Sequence, residues 1–404
     1  DVAFSNAIEF AKKLNSLTTK ETTETELKYN GTSESMSELE EMSLGVLLNK
    51  LYSKTRHPIL YLNTLKLGFA PTIDQIPQLS TICTRLGGEL DLHASLVHRC
   101  ANTLQYLDVD MHNAMALLYD AHENAVVYPN MRQLMVANSM SNVTVNRLPT
   151  TSIAPFPNLF MLVVPLEYPF YNDVLFQGNN NTLKYLELCM DTETANMLNR
   201  RRVFDGKHKR LRTVSIRESN RAGGRANVPI NELSNVLTNM ARSAEKLVLS
   251  SSRLITSLMV AVHNNSYFTH VRLLELREGL LSLAYVLRLL KQFPALVKFT
   301  CGIAELGDKL EHVDLDKLPD YIVSSYGETG KLLQTWSTKY YSNLFDVKTS
   351  DIALLLALVC PKLRRVVALK ANVPDINARL KDALQSGPYR KYAPQLSRLY
   401  CIPQ

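Results

Sequence analysis

The sequence predicts an α/β repeat fold in which short parallel strands alternate with helices. Two observations support this prediction: an apolar pattern that recurs along the chain, and segments of helical periodicity that separate its copies. The 404 residues are 46% hydrophobic and 21% charged, which is the composition of a folded protein rather than a disordered one. Because this composition is common to many folds, the prediction of the fold class depends on the internal repeats.

Each predicted strand has apolar residues at its first, fourth and sixth positions, as in Leu104, Leu107 and Val109. So short a pattern often arises by chance, and the support comes from its spacing. The copies start about 24 to 37 residues apart, at or somewhat above a repeat period of 20 to 29 residues. A weaker copy starts at Leu62. The eleven clearer copies start at Leu104, Met131, Leu159, Leu183, Leu211, Ala244, Val271, Leu296, Leu333, Leu363 and Leu396.

Helices are predicted between the strands. Apolar residues recur at helical spacing from Ile230 to Met240, where Pro229 suits the first helical turn, and again from Leu280 to Leu290. Residues 350–351 suit the start of a further helix over 352–360. A strand and a helix of this size cannot bury their apolar faces alone, so neighbouring units must stack.

The pattern and its period resemble those of leucine-rich-repeat proteins over residues 60–404. This resemblance implies an α/β solenoid, or horseshoe, of about eleven irregular units, with short parallel strands on the concave face and helices on the convex face. The asparagine that usually follows the strand is not kept: its slot holds His112, Asp191, Ser252 and Gly279. Residues 168–186 are similar to a fungal group of F-box/leucine-rich-repeat-like proteins.

In that fungal group an F-box, which docks onto a ubiquitin-ligase adaptor, precedes the repeats. Residues 1–59 do not show one. They are expected to form a helical N-terminal cap with a mobile segment rich in Ser, Thr and Glu over residues 18–42. Because the numbering begins at Asp1, an upstream module would lie outside this sequence.

Motifs for catalysis, cofactors or metals are not found in the sequence. The phosphate-binding loop, the serine elbow and the paired-histidine zinc helix are all missing, and His93 and His98 are five residues apart instead of four. Six cysteines lack the spacing of a zinc knuckle. The longest apolar run, 352–360, is far shorter than the roughly 20 residues of a membrane span. We therefore expect an intracellular protein, cytoplasmic or nuclear, that is not an enzyme and binds no cofactor, metal or membrane.

Positive charge is concentrated in residues 200–225. The window carries a net charge of +8 and the whole chain +7, so the remainder sums to −1. Such a cluster could attract an acidic protein or a nucleic acid, although Phe204 is the one aromatic residue there for base stacking. The predicted basic patch consists of Arg200, Arg201, Arg202, Lys207, Lys209, Arg210, Arg212, Arg221 and Arg225.

Partner contacts are predicted on the concave face, because side chains between the apolar slots of a strand point away from the core. Trp336 occupies an apolar slot and is expected in the core. The function predicted is a non-catalytic protein-binding scaffold or substrate-recognition adaptor, and the resemblance to F-box/leucine-rich-repeat-like proteins implies a ubiquitin-ligase type. The alternative is nucleic-acid or acidic-partner binding through the basic window. The candidate face residues are Tyr106, Asp108, Asp110, Tyr185, Glu187, Arg217, Lys246, Glu275 and Arg277, and later strands add Lys298, Arg365 and Arg398.

Overall fold

The computed structural model of the protein contains two compact units, Asp1–Arg210 and Leu211–Gln404, which we describe separately. In the first unit it describes residues 26–29, 59–62, 81–84, 97–111, 117–120, 122, 124–138, 154–164, 173–205 and 208–210. In the second unit it describes residues 211–218, 229–264, 266–307, 310–338, 349–368, 373–385 and 387–403.

In the part of the first unit that the structure describes, seven strands follow each other in sequence order, each parallel to the next. A 3-10 turn, Val174–Phe176, precedes the last strand, and helix α1, Thr192–Arg200, follows it. The side chain of Asp191 caps this helix by accepting a hydrogen bond from the Thr194 amide. The strands are β1 (Glu26–Tyr29), β2 (Ile59–Leu62), β3 (Thr81–Thr84), β4 (Tyr106–Met111), β5 (Gln133–Asn138), β6 (Met161–Val164) and β7 (Tyr185–Met190).

The second unit contains seven more parallel strands with a helix in every connection between described strands. Parallel neighbours require such a crossover, and a helix supplies it. The strands are β8 (Thr213–Glu218), β9 (Lys246–Leu249), β10 (Leu273–Ser282), β11 (Lys298–Glu305), β12 (Thr335–Thr338), β13 (Arg365–Ala368) and β14 (Tyr400–Pro403). The helices are α2 (Ile230–Ala241), α3 (Ser252–His263), α4 (Leu283–Gln292), α5 (Leu318–Tyr326), α6 (Thr349–Val359), α7 (Val373–Gln385) and the short α8 (Ala393–Leu396).

Parallel strands in sequence order, which alternate with helices in the second unit, confirm the predicted fold class, an α/β leucine-rich-repeat solenoid. Each of the eleven clearer apolar segments leads into one strand from β4 to β14. Helix α2 confirms the helix predicted from Ile230, with Pro229 at its N-cap, and α6 confirms the helix predicted over 352–360.

Strand positions near both ends of the chain differ from the prediction. Strand β1 lies inside the segment 18–42 that was expected to be mobile, and β2 ends at Leu62, where the weaker copy was expected to begin. At the other end of the chain β14 starts at Tyr400, so Arg398 precedes the strand and is not on its face. The rest of the predicted helical cap lies outside the described residues and stays a prediction.

Leu280 belongs to β10 rather than to the helix predicted to include it. The register of β10 against β11 shifts between Glu275 and Leu280, which marks a bulge. Gly279 occupies this bulge with a φ of 126°, a conformation that favours glycine. Helix α4 begins only after Ser282, whose hydroxyl accepts a hydrogen bond from the Tyr285 amide at 3.3 Å.

Successive strands are joined by a repeated hydrogen-bond arrangement at their first residues. The carbonyl of Arg212 accepts hydrogen bonds from the amides of Glu245 and Lys246 at 2.7 and 2.9 Å. One repeat later the carbonyl of Glu245 accepts from Arg272 and Leu273 at 2.8 and 3.0 Å. The chain therefore satisfies its backbone groups against the preceding repeat, which fixes the register of each new strand.

The core of the second unit lies between its strands and helices. Helix α3 packs on β8 and β10, and α4 packs on β10 and β11. In register, Leu247, Leu274, Phe299 and Trp336 form one continuous buried row, each no more than 1% exposed. The predicted core position of Trp336 is confirmed. Sheet residues between these apolar positions point to the opposite side, which we call the strand face.

Candidate functional site

The strand face of the second unit is organised in two rows that the parallel register defines. The first row crosses all seven strands at their first residues, and the second row lies two residues further along. The first row is Thr213, Lys246, Leu273, Lys298, Thr335, Arg365 and Tyr400; the second is Ser215, Val248, Glu275, Thr300, Ser337, Val367 and Ile402.

The first row is cationic. Lys246 and Lys298 stand on either side of Leu273, and Lys298 is exposed. Further along, the exposed Arg365 donates a hydrogen bond from Nε to the Tyr400 hydroxyl at 3.4 Å. The second row is mostly small or apolar, and Glu275 is its one acidic residue. This surface therefore suits a partner that presents carboxylates above the first row.

Arg217 and Arg277 occupy equivalent positions beyond the second row, on β8 and β10. Both are exposed, and each directly follows the residue that pairs with Leu249 of β9, while Ser250 directly follows Leu249. Arg277 Nε is 3.1 Å from Glu275 Oε1, so its guanidinium is held over the strand face. The Ser250 hydroxyl is buried and has no hydrogen-bond partner among the residues that the structure describes.

The strand face of the first unit has a different chemistry. Its first row contains Tyr106 and Tyr185 with Gln133 and Met161 between them. The Tyr185 hydroxyl donates to Glu187 Oε2 at 3.1 Å, which orients both side chains. The second row includes the buried Asp108, which is 7% exposed, while Asp110 lies further along β4 and its side chain is outside the described residues.

The predicted basic patch is exposed where the structure describes it. In the first unit Arg200 ends α1, and Arg202 has a φ of 48° with its Nε 4.0 Å from Asp205. Arg201, Lys209 and Arg210 are also exposed. In the second unit Arg212 is exposed, with its Nε 3.6 Å from Glu245 Oε1. Lys207, Arg221 and Arg225 lie outside the described residues.

The aromatic residue of the basic window is in the core. Phe204 is 6% exposed, and its ring centroid lies 5.4 Å from that of Phe176 and 5.1 Å from that of His208. The packing of these three rings leaves no aromatic face for a base to stack on. The described part of the window therefore offers exposed cations without an aromatic ring for stacking, which weakens the nucleic-acid alternative.

Metal clusters and cysteine thiols are the groups that bear on catalysis in the described part of the chain. The described residues include no group of three His, Cys, Asp or Glu that could hold a metal ion. Burial raises the pKa of the Cys360 thiol to about 12 and also raises that of Cys301, so neither thiol forms a reactive thiolate at neutral pH. Of the described helices, none is long and apolar enough to cross a membrane. His93 lies outside the described residues.

Some residues of the strand face escaped the sequence prediction. Leu273 was not predicted, although strand alternation places it half-buried on this face. Tyr400 was missed because the last strand was placed too early. The hydrophobic pattern could not reveal this shift, since Leu396 is buried in α8 just before the strand.

Comparison with known proteins adds little to this description. No protein-family model matches the chain, and no curated protein matches it either. One similar solved structure is the crystal structure of the leucine-rich repeat-containing protein LegL7 from Legionella pneumophila, with 12% sequence identity over 89% of this chain and 87% of that chain and a TM-score of 0.36. The strand order and helix placement of this chain define its fold independently of that similarity.

Proposed function

We propose that the protein is a non-catalytic scaffold that binds a protein partner through its strand faces. The observation that carries this proposal is the register of the second unit, which aligns Lys246, Lys298, Arg365 and Tyr400 in one row. Six spacings between seven strands make this row about 29 Å long. Such a length suits a protein surface or an extended peptide better than a small substrate.

Residue types on the strand faces support a protein partner over a nucleic acid. Tyrosine and arginine are the side chains that most often anchor protein interfaces, and both faces present them: Tyr106 and Tyr185 in the first unit, Arg217 and Arg277 in the second. The basic window has exposed cations, but Phe204 is buried. Protein binding is therefore our leading proposal, and nucleic-acid binding stays a weaker alternative.

The partner of the second unit is expected to be acidic where it meets the first row. Three cations in that row and two arginines beyond it would attract carboxylates, with Glu275 as the one opposing charge in the two rows. The more specific role, substrate recognition for a ubiquitin-ligase-type assembly, is supported by the resemblance of the sequence to F-box/leucine-rich-repeat-like proteins. It remains a proposal.

The double substitution Arg217→Glu with Arg277→Glu is expected to weaken partner binding at least about tenfold, because it reverses two potential anchors on one face. Partners are first captured from an extract with the whole chain as bait, and the affinity of the purified partner is then measured by titration calorimetry. Thermal melting of the variant checks that it is folded, since both arginines are exposed.

A matched control carries the same change of charge elsewhere. Arg242→Glu with Lys381→Glu alters exposed residues at the end of α2 and on α7, outside both strand rows. We expect this control to bind the partner nearly as tightly as the natural chain does. Equal affinity of all three proteins for every captured partner would refute the assignment of the strand face.

A further inference from the structure

A cleft opens between helices α3 and α4 of the second unit, with a volume of about 640 Å³. None of its lining residues belongs to a strand, so the cleft is separate from the strand face. Met259, Val260 and Val262 from α3 supply apolar surface. The volume lies within the range of roughly 300 to 1,000 Å³ that is typical of ligand sites, and clefts between helices are a common place for them.

Two buried polar atoms in the lining have no hydrogen-bond partner among the residues that the structure describes. They are the Tyr285 hydroxyl and Gln292 Oε1, and each residue is 9% exposed. An unpaired buried polar group costs roughly 1 to 3 kcal/mol. Both atoms are closed to solvent, so a ligand recovers this cost once the two side chains turn towards the cleft. Burial raises the pKa of Tyr285, which therefore keeps its proton and can donate a hydrogen bond.

Two positive side chains lie on the same helix as these atoms. Arg288 and Lys291 follow Tyr285 along α4, and His263 ends α3 on the other side of the cleft. Lys291 Nζ lies 5.3 Å from the ring centroid of Tyr326. The described residues that line the cleft include no Asp or Glu. A negatively charged ligand would therefore meet attraction from Arg288 and Lys291 and no carboxylate repulsion from the described lining residues.

We infer that this cleft binds an acidic peptide segment that carries an aliphatic or aromatic side chain. The apolar side chain packs on Met259 and Val260, a backbone carbonyl accepts from Tyr285, and a backbone N–H donates to Gln292 Oε1. A neighbouring Asp or Glu meets Arg288 and Lys291. From Thr256 to His263 the cleft wall is about 10 Å long, which is the reach of about three extended residues. This inference does not depend on the strand-face proposal.

Phage display tests the inference. A random library of twelve-residue peptides on phage is selected for binding to the whole immobilised chain. We expect enriched peptides to combine Asp or Glu with an apolar residue. A synthetic copy of the most enriched peptide is expected to bind the Arg288→Gln, Lys291→Gln double variant at least about tenfold more weakly than it binds the natural chain, as measured by fluorescence anisotropy. Arg217→Glu with Arg277→Glu is the control and should bind this peptide normally.

Tyr285→Phe separates ligand binding from a structural role. This change removes one oxygen that has no partner among the described residues. The melting temperature should therefore stay unchanged or rise, while peptide affinity falls severalfold. Four outcomes would overturn the inference: no enriched sequence, enrichment of neutral or basic peptides, equal binding to the Arg288 and Lys291 variant, or loss of binding in the strand-face variant alone.

Discussion

Leu274→Asp is expected to prevent stable folding of the second unit, with a loss of more than about 5 kcal/mol in the free energy of unfolding. Leu274 is 0% exposed in the middle of β10, and its partners in register, Leu247 and Phe299, are equally buried. The substitution leaves a cavity and places a carboxylate there that these apolar neighbours cannot pair. Urea unfolding followed by circular dichroism measures the effect, and inclusion-body expression would be its extreme form.

The adjacent residue provides the control for that experiment. Leu273 lies on the strand face, half-buried between Lys246 and Lys298 in register. An aspartate there gains two cationic cross-strand neighbours, so Leu273→Asp should change stability by no more than about 1 kcal/mol. A register error of one residue would reverse the two results, because successive side chains point to opposite faces. Equal destabilisation by both variants would contradict the described sheet.

Phe268→Ala is expected to lower the free energy of unfolding by about 3 to 5 kcal/mol. Phe268 and Phe293 occupy the same place in successive repeats, and their stacked rings have centroids 4.5 Å apart. Both residues are no more than 1% exposed, so truncation loses buried area on both sides of the stack. The fluorescence of Trp336, the one tryptophan of the chain, follows the unfolding of this unit in urea.

Tyr267→Ala is the matched control, since this residue precedes Phe268 in the same turn and is 64% exposed. Its removal should change stability by no more than about 0.5 kcal/mol. If Phe268→Ala costs no more than this control, the stack between repeats does not contribute to the core as described.

Strand positions were predictable in repeats that contain both an apolar strand pattern and a following helix. Leu247, Leu274 and Trp336 follow this rule, because each strand must bury alternate side chains against a helix. The pattern failed at Leu280, where a bulge at Gly279 prolongs β10 beyond the usual strand length. It also failed at β14, because a buried apolar residue gives the same signal in a short helix as in a strand.

Only those residues of the candidate site that lie in strands were predictable, from the alternation of side chains along a strand. The places of Arg217, Lys246 and Arg277 on the strand face follow from their positions in strands. The cleft between α3 and α4 could not be found in this way. Tyr285 and Gln292 look like ordinary residues of a helix, and their burial without a hydrogen-bond partner among the described residues arises from how two helices of different repeats pack.

Acetylation footprinting of the lysines, with and without the captured partner, tests the protein-binding proposal most directly. Lys246 and Lys298 lie on the strand face, whereas Lys317 and Lys381 lie outside it, before α5 and on α7. At saturating partner we predict that mass spectrometry shows reduced acetylation of Lys246 and Lys298 and unchanged acetylation of Lys317 and Lys381. Unchanged acetylation of Lys246 and Lys298 under the same conditions would contradict binding through the strand face.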